Sequence, residues 1–215
     1  AEASRWDELA ARATQRLAQV AGGNQQRFEQ AAIWLDLAEA KARRLDRRPD
    51  LLGAALYARA MILQLQGLWA ESRRRCEEAL PLLTSAHGAQ SPRVAEVRRL
   101  RGRLLLEDGR LPESKQEQEA ALAIWTATLG AGHPDVAMSL TNLGHVLAAS
   151  GDLDGAQRVH EQALATATAA LGPTHPYVAN ALQNLGDVAL ARGDAKRAEE
   201  LSMRALTLRT RAYGR

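Results

Sequence analysis

The chain has 215 residues, of which 46% are hydrophobic, 25% are charged and only 4% are aromatic. This balance is typical of soluble globular proteins, and the scarcity of aromatic residues favours a core of packed helices over a β-sandwich or barrel. The net charge is +3, and residues 41–120 hold 16 basic against 11 acidic side chains, which favours an acidic partner. Nucleic-acid binding is disfavoured because few aromatic side chains are available to stack on bases.

Residues 1–50 predict a helix pair that departs from the rest of the chain. A first helix is predicted over residues 5–20 ("RWDELAARATQRLAQV"), followed by a turn at Gly22-Gly23-Asn24 and a second helix over residues 28–45. Terminal units of repeat arrays often depart from the common pattern because they cover the end of the array. We therefore interpret residues 1–50 as a degenerate N-terminal helix pair.

Residues 51–215 repeat with a period of 42. The segments 129–153 and 171–195 are identical at 14 of 25 aligned positions. Self-similarity at a fixed period indicates a repeat architecture. We predict four repeats in one continuous array, at residues 51–84, 92–127, 134–170 and 176–212. The sequence stops where a further His-Pro would begin, so we expect a fragment of a longer chain.

Each repeat predicts two helices joined by a tight turn. In the third repeat, Leu140, Leu143, Gly144 and Leu147 lie on one stripe of the first helix. A glycine inside a helix costs about 1 kcal/mol relative to alanine, so its recurrence in the stripe predicts that helix backbones approach closely there. Gly151-Asp152 is predicted to end the first helix and to begin the second.

The prolines that open the first helices predict the residues that cap them. Proline suits the first helical turn, and the residue before a proline is driven out of helical conformation. Ser91, His133 and His175 precede such prolines. We interpret both histidines as capping or loop-packing residues, since neither has a partner at metal-ligand spacing.

The sequence contains no motif for nucleotide binding, zinc-dependent hydrolysis or nucleophilic catalysis. We therefore predict no catalytic activity, no cofactor and no metal within these residues. Cys76 is the single cysteine, which excludes an internal disulfide and fits a reducing compartment. With neither a signal peptide nor an apolar run of membrane-spanning length, the chain is predicted to be cytoplasmic and not to contact membranes.

The helix pairs and the string "LGxxHPxVAxxLxNLG" resemble the tetratricopeptide repeat of the kinesin-light-chain type. The resemblance implies an all-α, right-handed superhelical solenoid of about five antiparallel helix pairs. Arg98 and Arg101 depart from the pattern because they replace the equivalents of Leu140 and Leu143, and Arg59 also occupies the second of these positions. We expect these arginine stems to cover apolar surface while the guanidinium groups stay in water.

In this family the first helices line a concave groove that holds a peptide or a helix of a partner. Asn142 and Asn184 match the place where peptide-binding members commonly use asparagine, whose amide both donates and accepts hydrogen bonds. Carried over to this sequence, the candidate partner-binding residues are Tyr57, Met61, Arg99, Arg103, Met138, Asn142, His145, Asn180, Gln183, Asn184 and Asp187.

Within this set, Arg99 and Arg103 would bind an acidic group, and Tyr57 and Met61 would form an apolar anchor. The alternatives are that the asparagines bond neighbouring helices or solvent and that the two arginines belong to a solvated face. A lone His145 makes no catalyst without an oriented partner. Four side chains align at a packing position of the second helices: Cys76, Gln118, His160 and Ser202. Of these, we interpret Cys76 and His160 as half-buried packing residues.

The expected function is a non-catalytic scaffold that binds a protein or peptide partner, acidic where it meets the arginines, in the concave groove. Two alternatives stay open. The array could be the regulatory or sensor arm of a larger bacterial signalling protein, such as a serine/threonine kinase or an ATPase-type regulator. It could instead be a self-association module that uses its C-terminal end, residues 206–213.

Overall fold

The computed structural model describes residues 27–45 and 48–213, in which every regular element is an α-helix. The helices are α1 (Phe28–Arg43), α2 (Pro49–Leu65), α3 (Trp69–His87), α4 (Pro92–Glu107), α5 (Leu111–Leu129), α6 (Pro134–Ala149), α7 (Leu153–Leu171), α8 (Pro176–Ala191) and α9 (Ala195–Tyr213). The helix predicted over residues 5–20 lies outside the described residues, and the helix predicted over residues 28–45 is α1.

The helices group into two compact units. The first, Ala1–Gly109, contains α1 to α4, and the second, Arg110–Arg215, contains α5 to α9. Within residues 27–45 and 48–213, none of the helices combines the length and the apolarity that a membrane crossing requires.

Left-handed glycines mark the helix ends with the same 42-residue period that the sequence shows. Their φ angles lie between 72° and 87°. Glycine is favoured there because it has no Cβ to clash in the left-handed conformation that closes the last helical turn. One series consists of Gly67, Gly109, Gly151 and Gly193, and the other consists of Gly88, Gly130 and Gly172.

Side-chain caps begin several helices, as predicted. The Nδ1 atoms of His133 and His175 each accept a hydrogen bond from the backbone N–H two residues later, at 3.2 Å. Ser91 Oγ accepts from the N–H three residues later at 3.3 Å, and an Asp152 carboxylate oxygen accepts from the N–H of Gly155 at 2.8 Å. The capping interpretation of both histidines is confirmed.

The core of the second unit is built mainly from leucine, valine and alanine around α8. Val178 and Leu182 of α8 pack with Ala167 of α7 and Ala205 of α9, all of them buried. Burying a leucine or valine side chain contributes about 1.5–3 kcal/mol, and the small alanines let the helices approach closely. This packing holds the exposed faces of α6 and α8 in a fixed relation within the unit.

The glycine of the apolar stripe makes room for a side chain of the second helix. A Cβ atom added to Gly144 would lie 2.4–2.7 Å from three ring atoms of His160 on α7. The close approach of helix backbones predicted from the sequence is wrong at this position, because a side chain fills the space. An imidazole ring, rather than the backbone of α7, occupies the space.

The expectation that the guanidinium of Arg59 stays in water is wrong. Arg59 lies on α2 and donates hydrogen bonds to Glu39 and, at 2.6 Å, to Asp36 on α1, and its side chain is only 15% exposed. Burial alone would lower the pKa of Arg59, but the bonds to Glu39 and Asp36 outweigh this effect and raise it. The arginine therefore links α1 to α2 as an ion pair.

Replacing Arg59 with Met is expected to lower the free energy of unfolding by about 1–2 kcal/mol, because buried Glu39 loses its main partner. The loss stays moderate since Arg43 remains 3.7 Å from Glu39. Urea denaturation followed by circular dichroism measures the change. The double variant Arg59→Met/Glu39→Leu should regain most of the stability, and a double variant as unstable as the single one would contradict the role of the ion pair.

Candidate partner-binding site

We call the first helix of each repeat a first-type helix and the second a second-type helix. In the first unit, the four predicted site residues lie on the first-type helices α2 and α4. Tyr57 and Met61 are one turn apart on α2, and Arg99 and Arg103 are one turn apart on α4, so each pair shares a helix face. Tyr57 is buried at 9% exposure, Met61 is 38% exposed, and both arginines are half-buried. The apolar anchor predicted here therefore presents mainly Met61, with Tyr57 beneath the surface.

Electrostatic coupling shows that Tyr57, Arg99 and Arg103 lie near one another. Burial raises the pKa of the Tyr57 hydroxyl to about 12, although the Arg99 guanidinium favours the charged form. Burial and the like charge of Arg99 lower the pKa of Arg103, and Glu107 and Tyr57 oppose them only in part. A carboxylate placed beside Arg103 would offset the repulsion between the two guanidinium groups. An acidic ligand could supply such a carboxylate.

In the second unit, α6 presents Met138, Asn142 and His145. His145 is exposed, and Met138 accepts a hydrogen bond from the Tyr177 hydroxyl with its sulfur at 3.5 Å. Asn142 is 8% exposed, and in the described part of the chain its Nδ2 group has no hydrogen-bond partner. A buried donor without a partner is uncommon in folded proteins and calls for an explanation.

Helix α8 presents the other four predicted residues, of which three are already engaged. Gln183 donates from Nε2 to Asp187 Oδ1 at 2.9 Å. Asn180 Oδ1 accepts from Arg209 of α9 at 3.2 Å. Asn184, the 42-residue counterpart of Asn142, is half-buried.

A cleft of about 130 Å³ lies between α6 and α8, with α7 behind it. His145 and Ala148 line it from α6, Asn184 and Asp187 line it from α8, and His160 lines it from α7. The rings of His145 and His160 have centroids 5.4 Å apart. The structure thus brings three predicted residues together in one cleft, and Asn142 lies one helical turn before His145 on α6.

His160 is the part of this cleft that sequence reasoning underrated. It is a packing residue, as interpreted, but it is fully buried rather than half-buried, with 1% exposure, and its ring also forms a wall of the cleft. Burial and His145 lower the pKa of His160 to about 4, with Asp187 opposing, so the ring is neutral at pH 7. The sequence held a signal, since Gly144 and His160 stand 16 residues apart, as do Gly186 and Ser202.

Tyr177 and Arg209, which bond Met138 and Asn180, were not among the predicted residues. Their contacts join side chains of different helices, so no motif within a single helix indicates them. Across residues 27–45 and 48–213, no three His, Cys, Asp or Glu side chains come together in a way that could hold a metal ion.

The chain is similar to known repeat proteins along most of its length. A family model of the tetratricopeptide repeat matches residues 51–116, 99–169 and 135–211. Comparison with curated protein sequences yields no significant match.

Among solved structures, the kinesin-light-chain-like repeats of Podosopora anserina share 21% identity and a TM-score of 0.76, covering 94% of this chain and 96% of theirs. BtubC (BKLC) from P. vanneervenii shares 25% identity and a TM-score of 0.73, covering 98% of this chain and 92% of its own. PilF of Pseudomonas aeruginosa shares 19% identity and a TM-score of 0.68, covering 94% of this chain and 77% of its own.

The resemblance inferred from "LGxxHPxVAxxLxNLG" and the all-α solenoid fold class are both confirmed by these matches and by the described helices. Repeats of this fold generally mediate protein–protein interaction, so the exposed faces of the first helices are candidate interaction surfaces. The chain belongs to the tetratricopeptide repeat family.

Proposed function

We propose that this chain is a non-catalytic scaffold that binds a peptide or helical segment of a partner protein on the exposed faces of its first-type helices. The tetratricopeptide repeat family supports the general class of function. In the proposed repeat division, residues 1–50 form a degenerate pair and residues 51–215 form four repeats. We place the partner-binding surface on α2 and α4 in one unit and on α6 and α8 in the other.

The buried amide of Asn142 is the observation that carries this proposal. Its Nδ2 group lacks a partner within the described residues although it is removed from water. Leaving a buried donor unsatisfied costs about 1–3 kcal/mol, so an acceptor that reaches this amide would stabilise the complex. We infer that the Asn142 side chain turns outward when an extended segment lies along α6 and that its amide then donates to a peptide carbonyl.

The cleft between α6 and α8 provides further groups that could bind the same peptide. Asn184 offers a second amide one repeat further along, and Asp187 and His145 border it. Two amides a repeat apart hold a peptide backbone without depending on its side chains, and the flanking groups then select among sequences. In the first unit, Arg99 and Arg103 favour an acidic segment, because burial and mutual repulsion disfavour the positive charge of Arg103 in the free chain.

One further candidate has a specific observation behind it. Leu206 on α9 is 56% exposed, whereas Leu164, its counterpart in the preceding repeat, is half-buried against the core around α8. Self-association through α9 would cover Leu206, and a molecular mass that rises with concentration would support it. The role as a regulatory arm of a bacterial signalling protein and the cytoplasmic location stay predictions from the sequence.

Affinity capture from a native lysate, read by mass spectrometry, tests the proposal with three baits. They are the unchanged chain, the double variant Asn142→Ala/Asn184→Ala, and the matched control Gln162→Ala, which removes an exposed amide from α7. We expect the same partner on the unchanged and control baits and its loss from the double variant. Equal capture by all three would exclude the α6–α8 face as the binding surface.

Replacing Asn142 with Leu should raise the free energy of unfolding by about 1 kcal/mol, because an unpaired buried donor is exchanged for an apolar group of similar size. The same variant should lose partner binding. Urea denaturation gives the stability, and Asn184→Leu, at a half-buried position, is the control expected to change it little. A loss of stability on Asn142→Leu would show that the amide is already bonded in the free chain.

A further inference from the structure

A second concavity lies on the opposite layer of the second unit. A pocket of about 420 Å³ opens between the second-type helices α7 and α9 and reaches α8 beneath them. Leu164 of α7, Val178 and Leu182 of α8 and Leu208 of α9 line it. Its volume falls within the roughly 300–1,000 Å³ of ordinary ligand pockets. We name it the outer pocket.

The polar groups that line the outer pocket are mostly satisfied within their own helices. The Thr168 hydroxyl donates to the Leu164 carbonyl at 2.7 Å, and the Thr207 hydroxyl donates to the Met203 carbonyl at 2.8 Å. Threonines bonded in this way keep their hydroxyl groups on the backbone one turn earlier. The lining is therefore apolar in character despite the two threonines.

The rim of the outer pocket breaks the pattern of the chain's own repeats. Met203 lines the pocket and is 57% exposed. Its counterparts at successive 42-residue steps are exposed glutamates, namely Glu77, Glu119 and Glu161. Met203 and the apolar pocket behind it form one contiguous apolar surface, and such surfaces mark sites of protein interaction.

Arg204 gives the rim a positive charge. It is exposed, and within the described residues no carboxylate forms an ion pair with it. Glu200, one turn earlier, is engaged by Arg197 at 3.2 Å. An occupant that fills the apolar pocket would therefore gain from carrying a carboxylate at the edge.

The opening of the pocket does not depend on any repeat that would follow α9. On α7, the counterparts of Met203, Arg204 and Thr207 are Glu161, Gln162 and Ala165. All three counterparts are exposed, although α8 and α9 follow α7 in the chain. Packing of a further repeat therefore leaves this face of a second-type helix in water.

We propose that the outer pocket is a second protein-docking site, which takes a leucine or phenylalanine side chain of a partner segment and pairs Arg204 with an acidic residue one turn away. A protein segment fits better than a free amphiphile because the pocket is open to solvent along α9, where its lining residues Met203, Arg204 and Thr207 are exposed. A partner helix covers such an open side with its own backbone, whereas a small ligand would stay largely exposed. This site is independent of the α6–α8 face.

Fluorescence anisotropy with a defined probe tests the proposal. The probe is the labelled helical peptide AKAAFAAEAAKA, and its companions carry Gln in place of Glu or Ala in place of Phe. We expect the Phe-to-Ala peptide to bind at least about tenfold more weakly. Met203→Glu, which restores the residue of the other repeats, should cause a similar loss, and Arg204→Ala should make the Glu and Gln peptides bind equally. Circular dichroism checks that both variants keep their helices.

The controls separate this site from the first. Glu119→Ala changes the equivalent exposed position on α5 and should leave binding of the probe unchanged, as should Asn142→Ala/Asn184→Ala. Absence of measurable binding to the unchanged chain, or binding that is insensitive to Met203→Glu, would overturn the proposal. Tighter binding of octanoate than of the peptide, with the same dependence on Arg204, would also overturn it by assigning the pocket to a free amphiphile.

Discussion

Replacing Gly144 with Ala is expected to lower the free energy of unfolding by about 2 kcal/mol, although alanine is the better helix former. The new Cβ would lie 2.4 Å from the nearest ring atom of His160, whose side chain is 1% exposed. Overpacking of this kind costs about 1–3 kcal/mol, and the gain in helix propensity returns only about 1 kcal/mol. We place the clash at the upper end because the three nearest atoms all belong to one rigid ring and must move together.

The next repeat supplies the matched control. A Cβ on Gly186 would meet Ser202 Oγ at 3.1 Å, a contact that a small side chain relieves by a slight shift. Gly186→Ala should therefore change the stability by no more than about 1 kcal/mol. Urea denaturation of both variants, followed by circular dichroism, gives the comparison. Equal stabilities for Gly144→Ala and Gly186→Ala would contradict the tight contact between Gly144 and His160.

A second substitution should rescue the first. In the first unit, the residues aligned with Gly144 and His160 are Ala60 and Cys76, both fully buried. Introducing His160→Cys into the Gly144→Ala variant copies this pair and removes the ring that the new methyl group meets. We expect the double variant to recover most of the loss, with a coupling energy of about 1–2 kcal/mol. If the stability changes of Gly144→Ala and His160→Cys simply add in the double variant, the cost of Gly144→Ala does not come from contact with the His160 ring.

The pairing of Gly144 with His160 illustrates what the sequence can predict in a repeat protein. The period, the helix ends at left-handed glycines and the caps at Ser91, His133 and His175 follow from local rules. The first repeat departs from the capping rule, because Arg48 before α2 forms no side-chain cap. The glycine itself indicated that something approaches closely. Which atoms fill the space depends on a contact between two helices, and one sequence without the fold does not specify it.

The features that the sequence did not predict are those in which one repeat differs from the others. Arg59 was expected to extend into water, but acidic side chains on α1, outside its repeat, bind it. Asn142 and Asn184 share one repeat position, yet Asn142 is buried and Asn184 is half-buried. Met203 breaks a series of glutamates, and its significance appears only when the cavity behind it is seen. Averaging over the period conceals such deviations.

Acidification from pH 6.5 to pH 4 is expected to destabilise the fold by about 3 kcal/mol through His160 alone. Burial and His145 lower the pKa of His160 to about 4, with Asp187 opposing, whereas a histidine in the unfolded chain has a pKa of about 6.5. Between these values the unfolded chain binds a proton that the folded chain does not, so stability falls as the pH falls. Below about pH 4 both states are protonated, and this contribution to the loss is complete.

The variant His160→Gln isolates this effect, since Gln118 already occupies the same repeat position in a buried setting. Denaturation at several pH values should show a smaller fall in stability between pH 6.5 and pH 4 than the unchanged chain shows, by about 3 kcal/mol. His145→Gln, at an exposed position, is the control and should keep most of the fall. The same fall in His160→Gln as in the unchanged chain would assign the acid sensitivity to the carboxylates, and would leave the buried imidazole with a packing role only.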